Sequence, residues 1–263
     1  MSLTRIKAIL VQEYFISIRS VEIINDLFLF PIFTNIIIFG FFTIYLIKNN
    51  LGFDPTAILM GMIFWQPIYI VSYSIGVGSL WNVWSKNLTN MFIAPISIKE
   101  YLLAYGISGV IKGILILILS YIVSFFIFKT NIFSIGILAI IFFFFNVSLF
   151  GFSLGIFNLG LIFRFGTRIQ ALAWGLVGVL QPVMAVIYPV SVLPKPFQFI
   201  AYLFPPTYIF EAIRKLINGS SDINNFYIMA LITNILWLLF SINFFKIMFK
   251  KSKETGQFAK LEI

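Results

Sequence analysis

The 263-residue chain contains no histidine and no cysteine. Thiol nucleophiles, disulfides, imidazole general bases and the usual zinc ligands are therefore excluded. What can still do chemistry is nine acidic side chains, eighteen basic ones and a few amides. Asn35, Gln66, Asn146, Asn158 and Gln181 stand in apolar runs, where an amide either hydrogen-bonds between helices or lines a transport path. Gln66-Pro67 and Gln181-Pro182 are singled out for the path, because each proline also frees a backbone carbonyl and either lets a helix bend or kinks it statically. Glu211 and Arg214, at i and i+3, form an ion pair of the ordinary surface kind, worth little by itself. No G-x-x-x-x-G-K-[ST] run occurs; Gly106, Gly109 and Gly113 surround Lys112 in a hydrophobic stretch and cradle no phosphate. No cofactor or metal is expected in the chain.

These residues must be positioned by membrane helices. The chain is 60% hydrophobic, 19% aromatic and only 10% charged, with a mean hydropathy of +1.03. A soluble domain averages about a quarter charged. A span takes about 20 apolar residues, and six stretches qualify: 27–47, 57–80, 101–128, 133–159, 169–188 and 226–249. The expected fold is an all-α integral membrane protein, residues 1–263 forming one domain. The net charge of +9 would suggest nucleic acid in a soluble protein. Here it reads as topology: cytoplasmic termini put thirteen of the eighteen basic residues inside, leaving Lys48, Lys129, Lys195, Arg214 and Lys215 outside. The expected location is the plasma membrane, multi-pass, with a cytoplasmic tail at 250–263 and no nucleic-acid partner. Lys112 lies inside the third stretch, where it either snorkels to the inner interface or faces a wet interior.

Three segments flank the spans. In residues 1–22, Leu3, Ile6, Leu10, Tyr14, Ile18 and Val21 recur at steps of three and four, with Arg5, Gln12 and Arg19 on another face. That pattern predicts an amphipathic helix, either lying in the cytoplasmic interface or packed on the domain. Residues 81–99 form the main cytoplasmic loop, where Trp81 and Trp84 precede a polar run, Met91, Phe92 and Ile93, and a break at Pro95. Residues 189–225 carry five prolines, Pro189, Pro194, Pro196, Pro205 and Pro206, yet remain too apolar for a solvated loop. Their apolar pieces are too short to cross and predict re-entrant or interfacial helices.

At the second and third of these segments the sequence resembles the membrane subunits of type-2 ABC exporters. The motifs are Pro189-Val-Ser-Val-Leu-Pro194, the apolar run 197–204, Pro205-Pro206-Thr207-Tyr208, and Glu211 with Arg214. In the loop they are Asn87-Leu-Thr-Asn-Met-Phe-Ile-Ala-Pro95-Ile-Ser97, followed by Glu100-Tyr101-Leu102-Leu103. Many members carry an acidic residue where this chain has Asn87 and Leu88, so no ion pair to a partner is expected from that position. The likeness in order and spacing covers essentially the whole chain. It implies two such subunits, identical or similar, in a membrane core with two separate ATP-binding subunits docked beneath. It assigns coupling to Trp84, Asn87, Thr89, Met91, Phe92 and Pro95, and a re-entrant lid to Pro194, Pro205, Pro206, Glu211 and Arg214.

The expected function is export of an amphipathic, drug-like or lipid-type substrate, with the first, second and fifth spans reorienting when the coupling segment is pushed. Export of a lipid-linked polysaccharide, or a non-transport scaffold that recruits a cytoplasmic partner through 81–95, are the alternatives. A membrane-embedded hydrolase is disfavoured because the span centres lack acidic residues. The G-x-x-x-G pairs Gly109/Gly113 and Gly151/Gly155 are assigned to helix packing, and the 33 phenylalanines to lipid-facing and core packing.

Overall fold

The computed structural model describes residues 1–49, 55–85, 87, 91, 93–220 and 222–255. Every regular element among them is helical. The longer ones are α1 (Leu3–Arg19), α2 (Val21–Lys48), α3 (Pro55–Trp84), α4 (Ile98–Phe128), α5 (Ile137–Phe165), α6 (Gln170–Leu180), α7 (Lys195–Ala201), α8 (Pro205–Ile217) and α9 (Asn224–Glu254). Five of them, α2, α3, α4, α5 and α9, are long and apolar enough to cross a membrane, as in a multi-pass membrane protein.

The central helix is α3. In its most apolar stretch 94% of residues are buried, against 22% in α4 and in α9, which therefore turn much of their apolar surface outward. Small residues bring α5 against it. A Cβ on Gly151 would lie 2.8 Å from the Ile68 carbonyl oxygen, and one on Gly155 2.9 Å from Ile75 Cβ, so only glycine permits this approach. Helix α9 packs on the other side of α5, where Asn234 donates to Asn146 Oδ1 at 3.0 Å.

Local chemistry sets the helix ends. Ser97 and Glu100 form a reciprocal capping box at the start of α4, and Lys129 ends it in the left-handed conformation (φ 60°). Pro31 has no N–H to continue the ladder of α2. The helix widens into π-helical turns on either side, over Asn25–Leu29 and Ile32–Ile37.

The predicted stretch 169–188 differs from a regular span. Only the 11 residues of α6 are α-helical, about half the length that a span needs. Pro182 ends the helix instead of kinking it, and residues 181–189 follow as irregular turns with Ala185 at φ 54°. Even so, this segment travels far along α3: Trp174 stacks on Trp84 at the foot of α3, while Gln181 donates to Met62 Sδ near its head. Met1, Lys99 and Lys253 line one groove, so both ends of the described chain lie at the same end of the bundle.

Helix α1 packs on α4 rather than standing off the bundle. Its buried residues are Ile6, Ile9 and Glu13. Of the stripe read from the sequence, Leu3, Tyr14, Ile18 and Val21 are exposed. The helix thus has two working faces, one with a carboxylate turned into the protein and one apolar and uncovered.

Candidate functional site

Three arrangements bring together residues that lie far apart in the sequence. The first is an open cleft of about 710 Å³ lined by α2, α3 and α6. The N-terminal part of α2 contributes Asn25, Asp26, Phe30, Pro31, Thr34 and Asn35; α3 contributes Trp65 and Tyr69; α6 contributes Trp174, Gly175, Gly178 and, at its end, Gln181. Asp26 accepts a hydrogen bond from Tyr73 Oη at 3.1 Å and one from Asn25 Nδ2 at 3.4 Å. Among the described residues no basic side chain pairs with it. The cavity therefore offers one uncompensated carboxylate among aromatic rings. That arrangement can take a cation by charge-assisted hydrogen bonding and by cation–π contact.

Of the four residues expected to line a path, Gln181 faces this cavity. Gln66 is fully buried beside it, donating a long 3.4 Å hydrogen bond to the Pro31 carbonyl while its own Oε1 has no partner. Pro67 packs toward Gly113 of α4, and Pro182 accepts from Tyr188 Oη; neither is part of the cavity wall. The residue that sequence reasoning passed over is Asp26. It sits just ahead of the predicted span, where an acid reads as a solvated flank, and the widened turn of α2 places it against Tyr73.

The second arrangement is a clasp on the irregular segment after α6. Arg214 Nη2 donates to the carbonyl oxygens of Ala185, Val186 and Tyr188, at 3.3 Å for Val186 and 2.6 Å for Tyr188. Its Nη1 lies 3.0 Å from Glu211 Oε1, which also accepts from Val190 N–H at 2.8 Å. Burial pulls the guanidinium below its ordinary value, and the neighbouring Glu211 carboxylate opposes that. The pair is no ordinary surface contact: the side chains are only 12% and 17% exposed, and they satisfy backbone groups that no helix satisfies. Close packing completes the clasp, since a Cβ on Gly61 of α3 would fall 2.4 Å from the Val186 carbonyl oxygen. Pro194 caps α7, and Pro205 and Pro206 open α8, where a missing N–H costs nothing.

The third is a buried polar network at the foot of α3. Asn82 donates to Tyr105 Oη and, at 3.4 Å, to Tyr101 Oη, which donates to Ser79 Oγ at 2.9 Å. The Asn82 Oδ1 accepts from Gln12 of α1 at 3.0 Å and from Asn87 of the loop at 3.5 Å. Close by, Lys112 pairs with Glu13 at 3.0 Å. The Lys112 side chain is only 11% exposed, and its charge is compensated by α1, 99 residues away in the sequence. Glu100 anchors the start of α1 by accepting from Ser2 N–H at 2.6 Å, with Arg5 at 3.5 Å.

Of the residues assigned to coupling, Trp84 is 40% exposed and lies 5.9 Å from Trp174, the rings 19° apart. Met91 is buried and Pro95 exposed, while Ile93 is 77% exposed. Thr89 and Phe92 lie outside the described residues, as does the tail from residue 256 onward. No protein-family model matches the chain, and no curated protein matches it.

Proposed function

We propose that the chain is the membrane subunit of an ATP-driven type-2 ABC exporter, working as a pair with a second copy or a similar permease, with ATP hydrolysed by a separate subunit. The single observation that carries the mechanical part is the stack of Trp84 on Trp174. Trp84 ends α3 at the loop assigned to coupling, and Trp174 belongs to the wall of the α2–α3–α6 cavity. A push on 84–95 is delivered to that wall through two packed rings, and dense packing transmits displacement instead of absorbing it. The same loop is tied to α1 through Asn87, Asn82 and Gln12, so the loop, the first helix and the cavity move as one linked set.

In this reading α6 together with 181–188 makes the fifth of six crossings, with Arg214 replacing the hydrogen bonds that a continuous helix would have supplied. Non-helical backbone at membrane depth is tolerated only where protein satisfies it. Helices α7 and α8 then form the re-entrant lid before the last crossing. The positions of both ends of the described chain at one end of the bundle fit an even number of crossings, and the basic residues favour cytoplasmic termini in the plasma membrane. The substrate is amphipathic: an apolar body against Phe30, Trp65 and Trp174, and a cationic or donor head at Asp26.

The test is to purify the chain from its native membrane and ask whether an ATP-binding subunit accompanies it, then to reconstitute the complex and follow ATP-dependent efflux. Trp84→Ala is expected to leave the complex assembled and to lower coupled transport about tenfold or more. Absence of any ATP-binding partner, together with efflux independent of ATP, would refute the exporter reading and favour the scaffold.

A further inference from the structure

Between the first turns of α4 and the last turns of α9 runs a groove of about 770 Å³ that the transport reading does not use. Its walls are apolar, with Leu102 and Leu103 from α4, Phe152 from α5, and Phe245 and Phe249 from α9 among them. Four exposed lysines join this lining: Lys99 at the start of α4, and Lys246, Lys250 and Lys253 at steps of four and three along α9. Like charges at such spacings repel on a helix surface. Their compensation among the described residues is slight. Glu254 lies 3.8 Å from Lys250 with both side chains mostly in the open, and Lys253 Nζ sits 4.6 Å from the Phe249 ring centroid.

We propose that this groove binds one anionic phospholipid, the acyl chains along the Phe152, Phe245 and Phe249 wall and the headgroup phosphate among the four lysines. Charge complementarity calls for an anion, and the apolar wall running on from the lysines calls for one that carries hydrocarbon. Both helices turn much of their apolar surface away from the bundle, so a lipid reaches the groove sideways without opening the fold. Basic pockets between membrane helices on the cytoplasmic side hold anionic headgroups for the same reason. An acidic protein segment would match the lysines but not the hydrocarbon wall.

Native mass spectrometry of the purified full chain in mild detergent tests this, with added phosphatidylglycerol, phosphatidylcholine of the same acyl chains, or inorganic phosphate. The wild-type chain is expected to retain one phosphatidylglycerol with at least about tenfold preference over phosphatidylcholine. Replacing Lys99, Lys246, Lys250 and Lys253 with Gln should abolish that preference, and replacing the same four with Arg should keep it. A charge-matched control, Gln at Lys7, Arg19, Arg168 and Lys251, should also keep it, and unchanged far-UV circular dichroism verifies folding in each variant. Equal retention of the two lipids overturns the proposal. So does equal loss in the groove and control variants, which would mean a diffuse basic surface. Displacement of the lipid by millimolar inorganic phosphate would overturn it too, showing a plain anion site instead.

Discussion

Lys112 on α4 and Glu13 on α1 face each other at 3.0 Å, with side chains only 11% and 4% exposed. Breaking a buried pair from one side leaves a stranded charge, so Glu13→Gln or Lys112→Met alone should lower stability by about 3–5 kcal/mol. Replacing both, as Glu13→Leu with Lys112→Met, should recover most of the loss because no charge remains buried. Thermal unfolding in detergent, followed by tryptophan fluorescence, measures all three. Single variants that unfold with the wild type would show that the pair does not hold α1 to the bundle.

Arg214 supplies donors to three carbonyls of the segment after α6. Arg214→Ala should cost about 3–5 kcal/mol, since it strands Glu211 as well as the carbonyls. Arg214→Lys should fall between, keeping the charge but losing the planar fork. Hydrogen exchange at residues 181–190 should rise in the order wild type, Lys, Ala. Protection that stays level across the series would sink the clasp.

Gly61 and Gly175 give opposite expectations from the same chemical change. A Cβ at Gly61 meets the Val186 carbonyl at 2.4 Å, a backbone atom held in place by Arg214, so Gly61→Ala should destabilise by about 1–3 kcal/mol. A Cβ at Gly175 meets nothing within 4 Å inside a helix, so Gly175→Ala should be neutral or gain up to about 1 kcal/mol. Denaturation midpoints that shift the same way in both variants would contradict this packing.

Among the described residues, Asp26 is the one charged group lining the α2–α3–α6 cavity. Titrating the purified chain with a quaternary-ammonium amphiphile and a neutral one of equal chain length should quench tryptophan fluorescence, since Trp65 and Trp174 line the same space. Asp26→Asn should weaken the cationic ligand about tenfold or more, the range of a charge-assisted hydrogen bond, and leave the neutral one unchanged. Equal weakening of both would mean that Asp26 supports the cavity wall and does not contact the ligand.

Much of the architecture was legible along the chain because it depends on local composition. Runs of about 20 apolar residues mark candidate membrane spans, and five of the six predicted stretches coincide with long helices. The short apolar pieces of 189–225 predicted short helices by the same local logic, and α7 and α8 stand there, with Pro205 and Pro206 in the first turn of α8. The stretch 169–188 is α-helical over only about half its length, because hydropathy records how apolar a segment is and not whether its backbone is helical; Arg214, further along the chain, satisfies the carbonyls of Ala185, Val186 and Tyr188 that no helix satisfies. Asp26, Glu13 and Lys112 were illegible for a related reason: a charge's role depends on which partner folding brings to it.

The sequence by itself determined the solvent this chain is built for, the positions of its long helices and the absence of histidine and cysteine chemistry, since each follows from residue type and short-range spacing. Only the tertiary structure decided which charges are paired and which is left open. It set Glu13 on Lys112 and Arg214 on the turns after α6, while leaving Asp26 uncompensated among aromatic rings. Electrostatic energy in a low-dielectric interior depends on distances of a few ångströms, and those distances arise between helices that sequence order keeps far apart.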